Sequence, residues 1–161
     1  MLGVHSVFWR GSGIEGDDTD GHIDDMVRFV ARDAAVSIVE PDSSSPHYRA
    51  LAENNERLQD LRCLDGSRVE IVPLPLPAPL RPEDWRQEQQ PARYASFLIV
   101  NDAVAVPVFN QPRNDDRALG ILRECFSGKQ VVGLDARKLV LEGGAIHCIT
   151  QQQPKPRKEV P

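Results

Sequence analysis

Two short polar triplets, Arg32-Asp33-Ala34 and Asn101-Asp102-Ala103, begin at positions 32 and 101, 69 residues apart, and each sits between two apolar runs. Met26 to Ala31 and Ala35 to Glu40 flank the first, Ser96 to Val100 and Val104 to Phe109 the second, so each set predicts a hairpin. A polar loop follows each hairpin, Pro41 to Pro46 and Asn110 to Asn114. Next come apolar residues at helical spacing: Leu51, Leu58 and Leu61 within His47 to Leu64, and Ala118, Leu119, Leu122, Cys125 and Phe126 within Asp115 to Phe126. Strands are expected at Arg68 to Val72 and Gln130 to Leu134. The chain therefore reads as a weak internal repeat of the form strand, strand, helix, strand, an α/β class in which each helix is buried on its own strands. Such repeats usually close into a ring, which two units and a leading strand at Val4 to Trp9 do not complete.

Between the units, Pro73 to Pro82 carries proline at nearly every second position, and an extended surface connection without helix or paired strand is expected there. Within it, Pro79-Leu80-Arg81-Pro82 also fits a P-x-x-P ligand pattern, a weaker reading than a stiff linker. A single domain of 161 residues is long enough for a real core. The net charge of -5, with no block of lysines or arginines, argues against a nucleic-acid binder and favours small cationic ligands. No stretch approaches a membrane span and no signal-peptide pattern opens the chain, so no membrane partner and a cytoplasmic location are expected. The tail at 155–161 reads as mobile, separate from a domain at 1–154.

Chemistry concentrates in Asp17 to Asp25, where five acids and a histidine fall within nine residues. Such a cluster needs solvent or a cation to offset mutual repulsion. An EF-hand loop aligned on Gly21 would begin at Gly16 and end at Val27, neither of which can ligate calcium with a side-chain carboxylate. The D-x-D-G start of aspartate-based phosphatases belongs at the end of an apolar strand, which Gly13 to Asp17 is not. If the chain is extended after Gly21, His22 and Asp24 share a face, an acid/base beside a carboxylate. A solvated acidic turn capped by His22 is the alternative that spacing alone leaves open.

The three cysteines, Cys63, Cys125 and Cys148, are far apart and form no C-x-x-C pair, which argues against a disulfide framework or a zinc knuckle. Cys63 and Cys125 fall in helical patterns as small hydrophobes. Cys148 follows Gly143-Gly144 in a short apolar run. In an extended segment its neighbour His147 would face the opposite side, so His22 is the better placed base; His5 lies in an apolar strand and His47 starts a surface helix. An inert buried thiol is the competing reading of Cys148 taken alone.

Glu15 to Asp25, Tyr94 to Phe109, and Gly143-Gly144-Ala145-Ile146-His147-Cys148-Ile149-Thr150-Gln151-Gln152-Gln153-Pro154 together resemble the agmatine deiminase family, part of the guanidine-modifying superfamily that includes the peptidylarginine deiminases. The resemblance runs over nearly the whole chain and implies a pentein-type α/β propeller, here a partial one of two strand-strand-helix-strand modules with flanking strands. It implies that Cys148 is the nucleophile, that His22 is the general acid/base, and that Asp24 is both a catalytic residue and the one that grips the substrate guanidinium. Asp18, Asp20, Gly21, Gly143 and Gly144 would support the two turns. Ala145 stands where such proteins commonly carry asparagine.

The implied reaction hydrolyses agmatine to N-carbamoylputrescine and ammonia with no metal and no organic cofactor. Protein-bound arginine is the alternative substrate, and an inactive half-propeller serving as an interaction module is the alternative of another class. Family members are roughly twice as long, and a second guanidinium-binding acid is expected in the part that this chain lacks. In the half-propeller alternative, open module edges would make the chain a homo-oligomer or poorly soluble.

Overall fold

The computed structural model describes residues 7–14, 21–80 and 92–153. In the first unit β1 (Val27–Phe29) and β2 (Ala34–Val39) pair antiparallel, with Val27 opposite Ser37 and Phe29 opposite Ala35. The chain crosses over through α1 (Tyr48–Leu58) and returns as β3 (Glu70–Pro75), parallel to β2 and in register from Ala34 with Glu70 to Val39 with Pro75. The second unit repeats the path: β4 (Leu98–Val100) and β5 (Ala103–Val108) are antiparallel, α2 (Pro112–Cys125) crosses over, and β6 (Gln130–Asp135) lies parallel to β5. Each three-stranded sheet has its strands in chain order, β1-β2-β3 and β4-β5-β6. The 69-residue offset is kept in the central strands, which begin at Ala34 and Ala103.

Hydrophobic pattern accounts for the layering. The central strand β2 buries Ala35, Val36, Ser37 and Ile38 in succession, as a strand covered on both faces must. Helix α1 turns Leu51, Asn54 and Leu58 inward, and α2 turns Asp115, Ala118, Leu119 and Leu122 inward, both at helical spacing. Both units contribute to one core, in which Phe97 meets Phe126 edge-on with ring centroids 5.7 Å apart. Arg28 of β1 joins the two units: Nη1 donates to the Phe97 carbonyl at 2.9 Å and to the Ala95 carbonyl at 3.4 Å, and the guanidinium lies over the Phe97 ring at 4.8 Å. Asn54 inside α1 receives the Gly11 N–H on Oδ1 and donates from Nδ2 to the Ser12 carbonyl, which docks residues 11 and 12 on the first unit.

Several expectations need correction. Pro73 and Pro75 lie inside the paired strand β3. The Glu70 N–H donates to the Asp33 carbonyl. By the two-residue period, the nitrogens of residues 71, 73 and 75 therefore point to the open edge, where a missing N–H costs nothing. Helix α2 begins at Pro112, so Pro112 to Asn114 are helical and not loop; proline suits a first turn because its absent N–H has no intrahelical partner to lose.

Helix α1 ends at Leu58, and Cys63 lies beyond it in a small loop where Arg62 and Arg68 pair across the Asp65-Gly66 turn. There Asp65 Oδ1 accepts from both the N–H and the hydroxyl of Ser67, and Gly66 takes φ +85°. His47 at the start of α1 is buried and not on the surface. Val7 to Trp9 form no strand among the described residues, and Trp9 is 81% exposed; an apolar run becomes a strand only where a sheet edge pairs with it. The rest of the expected leading strand, with His5, lies outside the described residues, as do Arg81-Pro82 of the proline stretch and the tail at 155–161.

Candidate active site

Two single 3-10 turns that lie outside the repeat meet at its side. Ile23–Asp25 immediately precedes β1, and His147–Ile149 comes after β6 and a further 3-10 turn, Leu139–Glu142. The first follows Gly21 at φ +85°, where an added Cβ would come within 3.0 Å of the Gly13 backbone, so the turn entry needs glycine on both counts. The second follows Gly143 at φ +86° and Gly144, where a Cβ would stand 2.7 Å from Cys148 Cβ and 3.0 Å from its sulfur. The His147 N–H donates to the Ser96 carbonyl at 3.1 Å, and the Thr150 hydroxyl donates to the His147 carbonyl at 2.8 Å, which anchors this turn to the segment leading into β4.

The two turns put a thiol among carboxylates. Cys148 Sγ lies 3.9 Å from Asp24 Oδ2, 3.9 Å from Asp25 Oδ1 and 3.7 Å from Ser96 Oγ. His147 Nδ1 is 2.7 Å from Asp24 Oδ2, and Gln152 Nε2 is 3.1 Å from His147 Nε2. A cavity of about 580 Å³ opens here, with His22, Asp24, Leu139, Gly144, Cys148 and Gln152 in its wall. Burial acts to raise the Asp24 carboxyl pKa, but the hydrogen bonds from His147 and from its own backbone, with the charges of His147 and Arg28, outweigh it. The carboxyl is held below the usual carboxylate range. Burial lowers the Arg28 pKa, opposed by the negative charge of Asp24, Asp25 and Cys148, so Arg28 is the fixed cation behind the acids.

Both segments had been expected to be extended, and both are 3-10 turns. For Ile146 to Thr150 the difference matters. Alternation would send His147 and Cys148 to opposite sides, whereas the turn brings both to Asp24, so His147 belongs to the site. In Gly21 to Asp25, His22 and Asp24 reach one cavity through the turn and not through strand alternation; His22 is exposed there. Asp18 and Asp20 lie outside the described residues. Sequence reasoning missed Asp25, which is 3% exposed, as well as Arg28 and Ser96. An extended reading turns Asp25 away from Asp24, and Arg28 and Ser96 sit in apolar-looking strand patterns, so none of the three carries a signal.

The chemical capacity of the arrangement is to hold a cation against a sulfur nucleophile. The donor atoms of Asp24, Asp25 and Cys148 lie within 4.8 Å of one another, close enough for a metal ion or a planar organic cation to bridge. Cys63 and Cys125 are half-buried free thiols away from it, and burial with the charges of Glu124 and Glu70 pushes the Cys125 thiol up.

Two strand-strand-helix-strand units, with a cysteine and paired carboxylates in the turns that flank them, describe a mixed α/β protein with a cysteine-centred site. The family model for Porphyromonas-type peptidyl-arginine deiminases matches residues 1–154, and the chain belongs to that family. It is 35% identical to the agmatine deiminase of Medicago truncatula over 95% of this chain and 46% of that protein. It is 33% identical to the agmatine deiminase of Pseudomonas aeruginosa (strain LESB58) over 98% of this chain and 46% of that one. The solved structure of agmatine deiminase from Enterococcus faecalis superposes with a TM-score of 0.87 at 33% identity, over 96% of this chain and 46% of that chain. The chain thus spans about half the length of the relatives it matches. Among the described residues no helix is long and apolar enough to cross a membrane.

Proposed function

We propose that residues 1–154 form the C-terminal part of an agmatine deiminase propeller, with the two modules as consecutive blades. The observation that carries the reading is that Cys148 Sγ, on the wall of the cavity with Asp24, lies 3.9 Å from Asp24 Oδ2 and 3.9 Å from the buried Asp25 Oδ1. A guanidinium is protonated and resonance-stabilised near neutral pH, so its carbon accepts a nucleophile only when carboxylates hold it and a thiolate is aimed at it.

In the proposed course Asp24 grips the guanidinium and Cys148 adds to its carbon. His22 then donates the proton with which ammonia departs, leaving an amidino-cysteine. Water deprotonated by His22 attacks that intermediate, the carbon–sulfur bond breaks, and N-carbamoylputrescine leaves with the thiol regenerated. Acid/base assistance of this kind contributes roughly 10² to 10⁴ in rate. Gly21, Gly143 and Gly144 serve by allowing the two turns their conformations and close approaches. The free thiols are consistent with a reducing, cytoplasmic setting.

Peptidyl-arginine is the second substrate reading, favoured by membership in the Porphyromonas-type peptidyl-arginine deiminase family. Assaying ureido product from agmatine and from a blocked arginine peptide separates the two, with agmatine expected to be the substrate turned over. Product from the peptide alone reverses the assignment. No product from either, while a full-length relative gives product in the same assay, rules out catalysis by this chain alone and favours an inactive half-propeller.

A further inference from the structure

His147 has no part in the proton transfers above, yet it makes a short polar contact in the site, 2.7 Å from Nδ1 to Asp24 Oδ2. Asp24 is ionised, so the proton of that bond sits on His147 Nδ1, and the Gln152 amide nitrogen lies 3.1 Å from Nε2 on the far side of the ring. The turn that carries the ring is anchored as well, because the His147 backbone N–H donates to the Ser96 carbonyl.

Resting on the guanidinium reading of the site, we infer that His147 is a positioning residue. Held by Gln152 and Ser96, it binds Asp24 Oδ2 through Nδ1–H, fixing the carboxylate beside Cys148 in one orientation toward a guanidinium N–H. Unpinned, a carboxylate on a single turn before β1 rotates among rotamers, and only some of them face a cation in line with the sulfur. Gln152 acts one step further out, by bracing the edge of the ring that faces away from Asp24.

Alkylation of Cys148 by 2-chloroacetamidine and by its neutral isostere 2-chloroacetamide tests this without requiring turnover. In both reactions sulfur displaces chloride, and the ratio of the two rates, read at the Cys148 peptide by mass spectrometry, reports the grip on an amidinium. In His147→Ala that ratio falls roughly tenfold to 10²-fold, the size expected when a group in line with the reacting centre is misplaced, while the rate with the neutral reagent changes little. His147→Asn, whose amide can place a donor near the Nδ1 position, restores the ratio to within about threefold of the parent protein.

A role in packing alone would slow both reagents together and leave the ratio unchanged, which overturns the proposal. Should His147→Ala not fold, nitrogen-15 NMR of the parent protein decides: a proton on Nδ1 is expected, and a bare Nδ1 overturns the assignment. The Asp24→Asn variant separates the two levels of the reading. If it lowers the ratio and His147→Ala does not, only the positioning role fails. If it leaves the ratio unchanged, the guanidinium site fails and the positioning role with it.

Discussion

The repeated part of the molecule and the part that flanks it obey different rules. The units β1-β2-α1-β3 and β4-β5-α2-β6 share topology, pairing and strand order, and most of what they bury is apolar. The buried acid among the exceptions is Asp115 in α2, which accepts from the Tyr94 hydroxyl at 2.6 Å and from the Phe109 N–H at 3.1 Å on one oxygen, and from the Gln111 N–H at 2.8 Å on the other. These bonds close the start of α2 onto the end of β5, and burial and the neighbouring Asp115 charge push the Tyr94 hydroxyl pKa far up, so it remains a donor. The flanking turns Ile23–Asp25 and His147–Ile149 hold Asp24, Asp25, His147 and Cys148 near one cavity, with little apolar burial of their own. The lesson is that the repeat supplies rigidity, while the chemistry sits where the repeat ends and backbone conformation is free to vary.

Breaking the flanks should therefore cost function with little stability, and breaking the repeat the reverse. The largest effect is expected for Cys148→Ser, which should lower deiminase turnover by roughly 10⁴-fold or more with an unchanged melting curve, because a neutral hydroxyl cannot replace the thiolate. Full activity in that variant would end the proposed mechanism. Asp24→Asn should lower kcat/KM for agmatine by roughly 10² to 10³, through loss of charge complementarity at the reacting group.

Asp115→Ala reverses the pattern. It strips partners from three donors in a buried network and should destabilise the fold by about 3 kcal/mol in denaturant titrations, yet leave amidine labelling of Cys148 unchanged below the transition. If labelling fell in proportion, the two regions would not be separable. Gly144→Ala tests the close approach on the other side. Its Cβ would press on Cys148, so roughly tenfold slower labelling with nearly unchanged stability is expected.

The smallest effect is on pH. Asp24 has a folded pKa below its unfolded one, so its contribution to stability and grip is fully present above the unfolded value, about 3.9, and is lost as pH falls through the folded value. The amidine-to-amide labelling ratio should stay flat from neutral pH down to about 4. In His147→Ala, with the principal lowering contact gone and burial remaining, the loss should move to higher pH.

Much of the fold was legible because it rests on periodicity. The triplets at 32 and 101 lie at the turns of real hairpins, and the helical stripes of Leu51 and Leu58 and of Ala118, Leu119 and Leu122 are the buried ones. Pro73 and Pro75 misled because proline excludes a strand only where its nitrogen must donate, and edge position is a tertiary property. Of the site, Cys148, His22 and Asp24 could be singled out by composition and motif. Asp25 and His147 could not, since an acid beside an acid and a histidine beside a cysteine face opposite ways in a strand and need not do so in a 3-10 turn.

By itself the sequence determined two strand-strand-helix-strand modules, the family, and the identities of the chemically capable residues, because hydrophobic period and long motifs are local properties of the chain. Only the tertiary structure decided which of those residues meet. Asp24 and His147 lie more than a hundred positions apart, and the 2.7 Å contact between them exists because packing of both units in one core brings a turn before β1 against a turn after β6.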